Sequence, residues 1–300
     1  MKRLPASVLL SAAAAFWGGN FIVGRAVSSS LPPLTLSFYR WLIALIVLLP
    51  LAGKEVWAKR SQIRDNAGWF ALVTVTGTVL FHVLVYVGLG TTTAINATLL
   101  VATSPVIIPV VAVIVHRDRI TGMQGAGIAT SIVGVLIILT RADLDVLASF
   151  AFSSGDLLIL AAVVAWAVYS VVLRDRRDDL SPLGFVLAIT VLGIPILFVL
   201  YLSELAGQGG FDLTLGHILT IVYVGLFASV LAYLAWNKGV ELIGAVRAGP
   251  YMSLMPVFAA LLAVIFPGEF LELFHVVGTG VIALGLILSG RRPVARLPAG

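Results

Sequence analysis

Apolar residues dominate ten stretches of this chain, near 5–24, 34–52, 67–87, 93–115, 122–139, 156–173, 182–203, 214–236, 243–266 and 272–290, with polar residues crowded between them. A helix of roughly 20 apolar residues covers a hydrocarbon core about 30 Å thick, so each stretch predicts one transmembrane helix. Barrel strands are excluded, because no stretch alternates apolar and polar residues over about ten positions. The connections are too short for a soluble domain, so any chemistry takes place within or against the helix bundle. The predicted fold is all-α and integral to the membrane, with ten transmembrane helices. The first stretch follows Lys2 and Arg3, as in a secretory signal, but it runs on to Gly24 and so predicts a retained helix.

The small and polar residues inside these stretches repeat. At an offset of 151, Gly88, Pro105, Gly127 and Gly134 meet Gly239, Pro256, Gly278 and Gly285, and Asp118 meets Glu269. At an offset of 149, Trp17 meets Trp166, Arg25 meets Arg174, and Pro33-Leu34 meets Pro182-Leu183. Matches of Ala or Val carry little weight in so apolar a chain, whereas matches of Pro, Gly and Trp predict two copies of a five-helix unit. Because five is odd, the second copy enters the membrane upside down. The predicted organisation is two inverted five-helix repeats, helices 1–5 in residues 1–145 and helices 6–10 in 150–292, with a cytoplasmic tail at 293–300. Such repeats suit alternating access, since exchanging the conformations of two similar halves turns an inward opening outward. The competing reading is an old duplication without that consequence.

Composition and charge narrow the picture. The chain is 60% hydrophobic and 11% charged, with a mean hydropathy of +1.09, more apolar than a water-soluble domain tolerates. Its basic residues fall in the connections and not on one soluble face, which argues against nucleic acid as a partner and for lipid as the solvent. With the amino terminus inside, fifteen of the nineteen Lys and Arg lie on the cytoplasmic side, and in the outer connections only Arg25 and Arg141 remain. Both termini are therefore expected in the cytoplasm. Cysteine is absent, which removes disulfides, thiol nucleophiles and thiolate metal sites. The histidines His82, His116, His217 and His275 are isolated from one another, and no pairing of acids or of Ser with a base supports a membrane enzyme. No repeated polar ring supports a channel. Neither a cofactor nor a metal is expected.

The segments Trp17-Gly18-Gly19-Asn20-Phe21, Phe38-Tyr39-Arg40-Trp41, and Pro256 with Gly268-Glu269 and Gly278 resemble the EamA repeat of the drug/metabolite transporter superfamily. The resemblance covers nearly the whole chain, as two repeats. The first repeat departs from it at His116-Arg117-Asp118, where the family usually has Gly-Glu. In overall pattern the chain is similar to YddG-type bacterial exporters of aromatic amino acids. The resemblance implies a multi-pass secondary transporter of the bacterial inner membrane that exports small metabolites, amino acids including aromatic ones. Drug and nucleotide-sugar carriers of the same superfamily are the alternatives.

Polar and aromatic side chains within a span are costly unless they face a cavity or one another. In the third helix Thr78, His82 and Tyr86 recur at i, i+4 and i+8, on one face, and their counterparts in the eighth are Ser229, Tyr233 and Asn237. The first and sixth helices add Trp17 with Asn20, and Trp166 with Tyr169 and Ser170. The fourth and ninth add Asn96 and Tyr251. This pattern predicts a central cavity with aromatic walls and a few hydrogen-bonding groups, suited to a zwitterion or an aromatic side chain. The competing reading is helix packing and interface belts, and for Tyr86, Trp236 and Asn237, near span ends, the belt is preferred. Arg40 and Arg247 are read as snorkelling to headgroups in preference to anchoring a carboxylate. Pro105 and Pro256, read as mid-helix, are candidate hinges or static kinks. All fourteen carboxylates fall in connections or at helix ends, leaving His82 as the candidate for proton coupling. Gradient-driven export of a small molecule by a monomer is expected, with proton antiport as the alternative.

Overall fold

The computed structural model describes residues 4–27, 30–88, 91–92, 100–143, 145, 153–265 and 272–290, and among these no strand occurs. The apolar stretches form α1 (Ala6–Val27), α2 (Pro33–Ala58), α3 (Ala67–Gly88), α4 (Ser104–His116), α5 (Gly122–Leu139), α6 (Ser154–Val172), α7 (Pro182–Gln208), α8 (Leu215–Ile243), α9 (245–265) and α10 (Leu273–Gly290). Eight of these have the length and apolarity of a bilayer crossing, while α4 and α10 are shorter apolar helices. The first part of the predicted 93–115 stretch, with Asn96, lies outside the described residues. Side chains such as Ile46, Ile114, Val199 and Ile287 are exposed on the bundle surface, as a lipid-facing surface requires.

Helix starts follow from local chemistry. Pro33 and Pro182 stand at the first position of α2 and α7, where a missing N–H leaves no intrahelical bond unmade. Thr121 with Gln124, Ser153 with Asp156 and Thr214 with His217 form capping boxes that open α5, α6 and α8. Gly209 and Gly244, at φ of 80° and 79°, end α7 and α8. Arg117 ends α4 at φ 55°, so the position where the family resemblance expects Gly is left-handed although it carries an arginine.

The equivalent helices α2 and α7 run antiparallel, as reciprocal contacts at their ends show. Glu204, near the end of α7, is buried over the start of α2, where it accepts from Leu34 N at 3.0 Å, Thr35 N at 2.6 Å and Thr35 Oγ1 at 2.8 Å. Glu55, near the end of α2, accepts at the start of α7 from Ser181 N at 2.7 Å and from Ser181 Oγ. Each carboxylate thus satisfies orphan donors at the positive end of the other helix's dipole, which is possible only for antiparallel neighbours. Glu55 and Glu204 stand 149 residues apart, the repeat offset.

A second symmetric seam joins α5 to α10. A Cβ added at Gly127 would lie 2.7 Å from the Gly285 carbonyl oxygen, and one at Gly134 would lie 2.7 Å from that of Gly278, so only glycine permits this backbone approach. At the end of the bundle rich in Lys and Arg, the connections of the two halves are tied together. His116 Nε2 lies 3.0 Å from Asp175, and Arg174 pairs with Asp118 at 2.9 Å.

The structure corrects the placement of one candidate hinge. Pro105 lies in the first turn of α4 and not mid-helix, whereas Pro256 stands in the middle of α9, directly after a change of helix type. Ser104 opens α4 after a turn at 102–103, and Leu254 follows a 3₁₀ segment, Gly249–Ser253. Proline is accommodated in a first turn because its missing N–H has no partner there to lose. The proline inside α4 is Pro109.

Candidate substrate site at the centre of the bundle

Two π-helical segments shape the centre. They span Thr74–Leu80 in α3 and Val224–Leu231 in α8, equivalent positions of the two repeats. A π segment misaligns the usual i→i−4 ladder and leaves room for other donors at its carbonyls. Each segment takes a side chain from the opposite repeat. Tyr233 OH donates to Gly77 O, and Trp17 Nε1 donates to Ala228 O at 3.0 Å. Gly77 and Ala228 are themselves 151 residues apart.

Around these bonds α1, α2, α3, α6 and α8 converge on an aromatic cluster with Tyr233 as its hub. The Tyr233 ring lies 5.1 Å from Trp41, 5.6 Å from Trp166, 5.8 Å from Tyr169 and 6.2 Å from Trp17, measured between centroids. His82 stacks on it at 6.4 Å and meets the edge of Trp41 at 5.7 Å. Edge-to-face geometry recurs because a ring's positive edge prefers its neighbour's negative face. Tyr169 lies directly on Gly77, where any side chain would collide with its ring. Its hydroxyl donates to Asn237 Oδ1 at 2.8 Å, and Trp236 Nε1 donates to Ser170 Oγ at 3.2 Å. His82 Nδ1 is 3.1 Å from Thr78 O. A carbonyl only accepts, so Nδ1 carries a proton and donates it to Thr78 O.

Arg40 overturns the snorkelling expectation. Its side chain is 1% exposed, and it turns inward. Nε donates to Ser229 Oγ at 2.8 Å, Nη1 donates to Tyr86 OH at 3.2 Å, and Ser229 in turn donates to Val224 O at 3.0 Å. Depth along one helix does not say which face a residue occupies, and the α3 and α8 faces supply partners that headgroups otherwise would. The belt expectation falls for the same reason. Trp236 is buried within the ring cluster, and Tyr86 and Asn237 are half-buried with partners inside the bundle. Arg247 is half-buried near the basic end.

Over this geometry the sequence profile of the EamA-like transporter family matches residues 4–140 and again 153–291. The chain belongs to the EamA-like transporter family. It is 28% identical to "Uncharacterized transporter YyaM" of Bacillus subtilis (strain 168) over 99% of this chain and 97% of that one. A transporter of Archaeoglobus fulgidus is 27% identical, covering 94% and 96%. A crystal structure superimposes with a TM-score of 0.75 over 95% of this chain and 96% of the other at 19% identity, a likeness of fold.

Within this EamA-like transporter, the residues singled out by sequence fall into three groups. Trp17, His82, Trp166, Tyr169 and Tyr233 share the ring cluster; Ser170, Ser229 and Tyr86 serve as hydrogen-bond partners at its margin. Thr78 is buried with its methyl against the α7 position of Gly193, Tyr251 is half-buried in the 3₁₀ segment of α9, and Asn20 keeps a buried Oδ1 without a partner. Asn96 lies outside the described residues. Sequence reasoning passed over Trp41, a fully buried ring beside Arg40, although both lie in the motif that carries the family resemblance.

Proposed function

We propose that this chain is a secondary transporter that exports amino acids, aromatic ones included, across the bacterial inner membrane by alternating access, with both termini in the cytoplasm. The observation that carries the reading is the crossed pair of bonds at the centre. Each repeat's π segment is held by an aromatic side chain of the other repeat, so movement between the halves must remake the aromatic cluster. In the conformation described the rings pack on one another and the basic end is tied by the Arg174–Asp118 ion pair and the His116–Asp175 hydrogen bond. A substrate with an aromatic side chain replaces ring–ring contacts with its own, which lets it separate the halves without exposing apolar surface to water.

Transport is driven by the substrate's own gradient. Every carboxylate among the described residues lies at a helix end or in a connection, and His82 is engaged through Nδ1 with Thr78 O of its own helix. Efflux of labelled phenylalanine, tyrosine and tryptophan from liposomes containing the purified protein tests the proposal. Tyr233→Ala and Trp166→Ala are expected to lower that flux severalfold, while Trp57→Ala, at an exposed ring, leaves it unchanged. Equal effects of the three substitutions, or flux of nucleosides or lipophilic cations in place of amino acids, refute the reading.

A further inference from the structure

Arg40 is a buried charge with no counter-charge among the described residues. A guanidinium stays protonated in any protein environment, and taking it out of water costs several kcal/mol unless an anion or a full set of acceptors compensates. Here the side chain is 1% exposed and its two described partners, Ser229 and Tyr86, are neutral hydroxyls. No carboxylate among the described residues pairs with it. The duplication did not place a charge at this level of the partner helix, since the residue equivalent to Arg40 in α7 is Ile189, fully buried. Nor does Arg40 stand alone as a donor. Trp41 Nε1, on the next residue, and Trp166 Nε1, across Tyr233, are both buried with no acceptor. Both groups can only donate, and a carboxylate can only accept.

We propose that Arg40 is the anchor for a carboxylate on the transported molecule, which displaces Ser229 and Tyr86 from the guanidinium and lays its apolar body against the Trp41–Tyr233–Trp166 rings. Planar guanidinium and planar carboxylate pair through two parallel hydrogen bonds, so one arginine both neutralises and orients the ligand. The site then selects organic anions and zwitterions and rejects amines. This inference rests on the central cluster being the transport site, and it adds the charge class of the ligand.

The test is binding to the purified full-length protein, followed by quenching of tryptophan fluorescence, since four of the six tryptophans (Trp17, Trp41, Trp166, Trp236) lie in the cluster. Three probes of similar shape are compared: L-phenylalanine, 3-phenylpropionate and 2-phenylethylamine. Saturable quenching by the first two and not by the amine is expected, and this comparison needs no variant. Arg40→Gln is expected to weaken both carboxylates by at least about tenfold, and Arg40→Lys to keep the charge preference with weaker binding, because a point charge cannot form the paired fork. Amine binding equal to that of phenylpropionate, carboxylate affinities unmoved in a folded Arg40→Gln, or no saturable quenching by any probe overturns the anchor. Carboxylate-selective binding without flux in liposomes supports the anchor and ends the transport reading, so the two fail separately.

Discussion

The two seams of the bundle and its centre have been treated differently by the duplication. Along α2–α7 and α5–α10 the halves remain equivalent. Glu55 and Glu204 perform the same capping at opposite ends, and Gly127 and Gly134 meet Gly285 and Gly278 in mirrored contacts. At the centre the equivalence persists in the backbone and is lost in the side chains. Both π segments remain, yet Arg40 corresponds to Ile189, Trp41 to Thr190 and His82 to Tyr233. Under the alternating access proposed above, a seam that holds in both conformations gains from symmetry, because exchanging the halves leaves it unchanged. A ligand is not symmetric, so a site that orients one is better built from unlike side chains on a like frame.

The comparison breaks most readily at the α5–α10 seam. Gly134→Ala and Gly285→Ala, equivalent positions whose new Cβ would fall within 2.7 Å of a facing carbonyl oxygen, are each expected to destabilise by about 1–3 kcal/mol. Thermal unfolding in detergent is the check. A loss at one site only would show that the seam's symmetry is geometric and not energetic.

Next in size are the reciprocal caps. Glu204→Ala strips two backbone N–H groups and a hydroxyl of a buried acceptor, for a loss of about 1–2 kcal/mol. Glu55→Ala is expected to cost less, since that carboxylate is 26% exposed and water can replace it at the start of α7. The same unfolding measurement ranks them, and the reverse order contradicts exposure as the difference between two equivalent caps.

A smaller change of opposite sign is expected at the turn after α4. Arg117→Gly relieves a left-handed backbone and removes one cation, raising stability by up to about 1 kcal/mol if the Arg174–Asp118 and His116–Asp175 contacts beside it persist. The smallest expected effect is at the centre. His82→Gln keeps hydrogen-bonding capacity without titration and retains most of the substrate efflux measured with no ion gradient imposed. Uphill accumulation driven by an imposed pH gradient, and abolished by that substitution, would instead make His82 a proton carrier.

Much of this protein was determined by its sequence alone. Lipid as solvent forces apolar runs of bilayer length, so the ten stretches, the helical class and the two copies are written as hydropathy and as matched Pro, Gly and Trp. The inward placement of Trp17 and Trp166 was legible because they match across the repeat and lie mid-span, away from the interfaces where lipid-facing Trp gathers. What lay beyond reach were the features fixed by a second helix. The π segments leave no local signature in TVTGTVL or VGLFASVL, and Glu55 and Glu204 read as ordinary end-of-helix acids until each is seen over the other's helix. Arg40 was misjudged because distance from a span end measures depth, whereas burial depends on the face and on what stands opposite. Only tertiary structure placed Ser229, Tyr86 and the rings around it, since contacts between residues nearly 190 positions apart are decided by packing and not by local pattern.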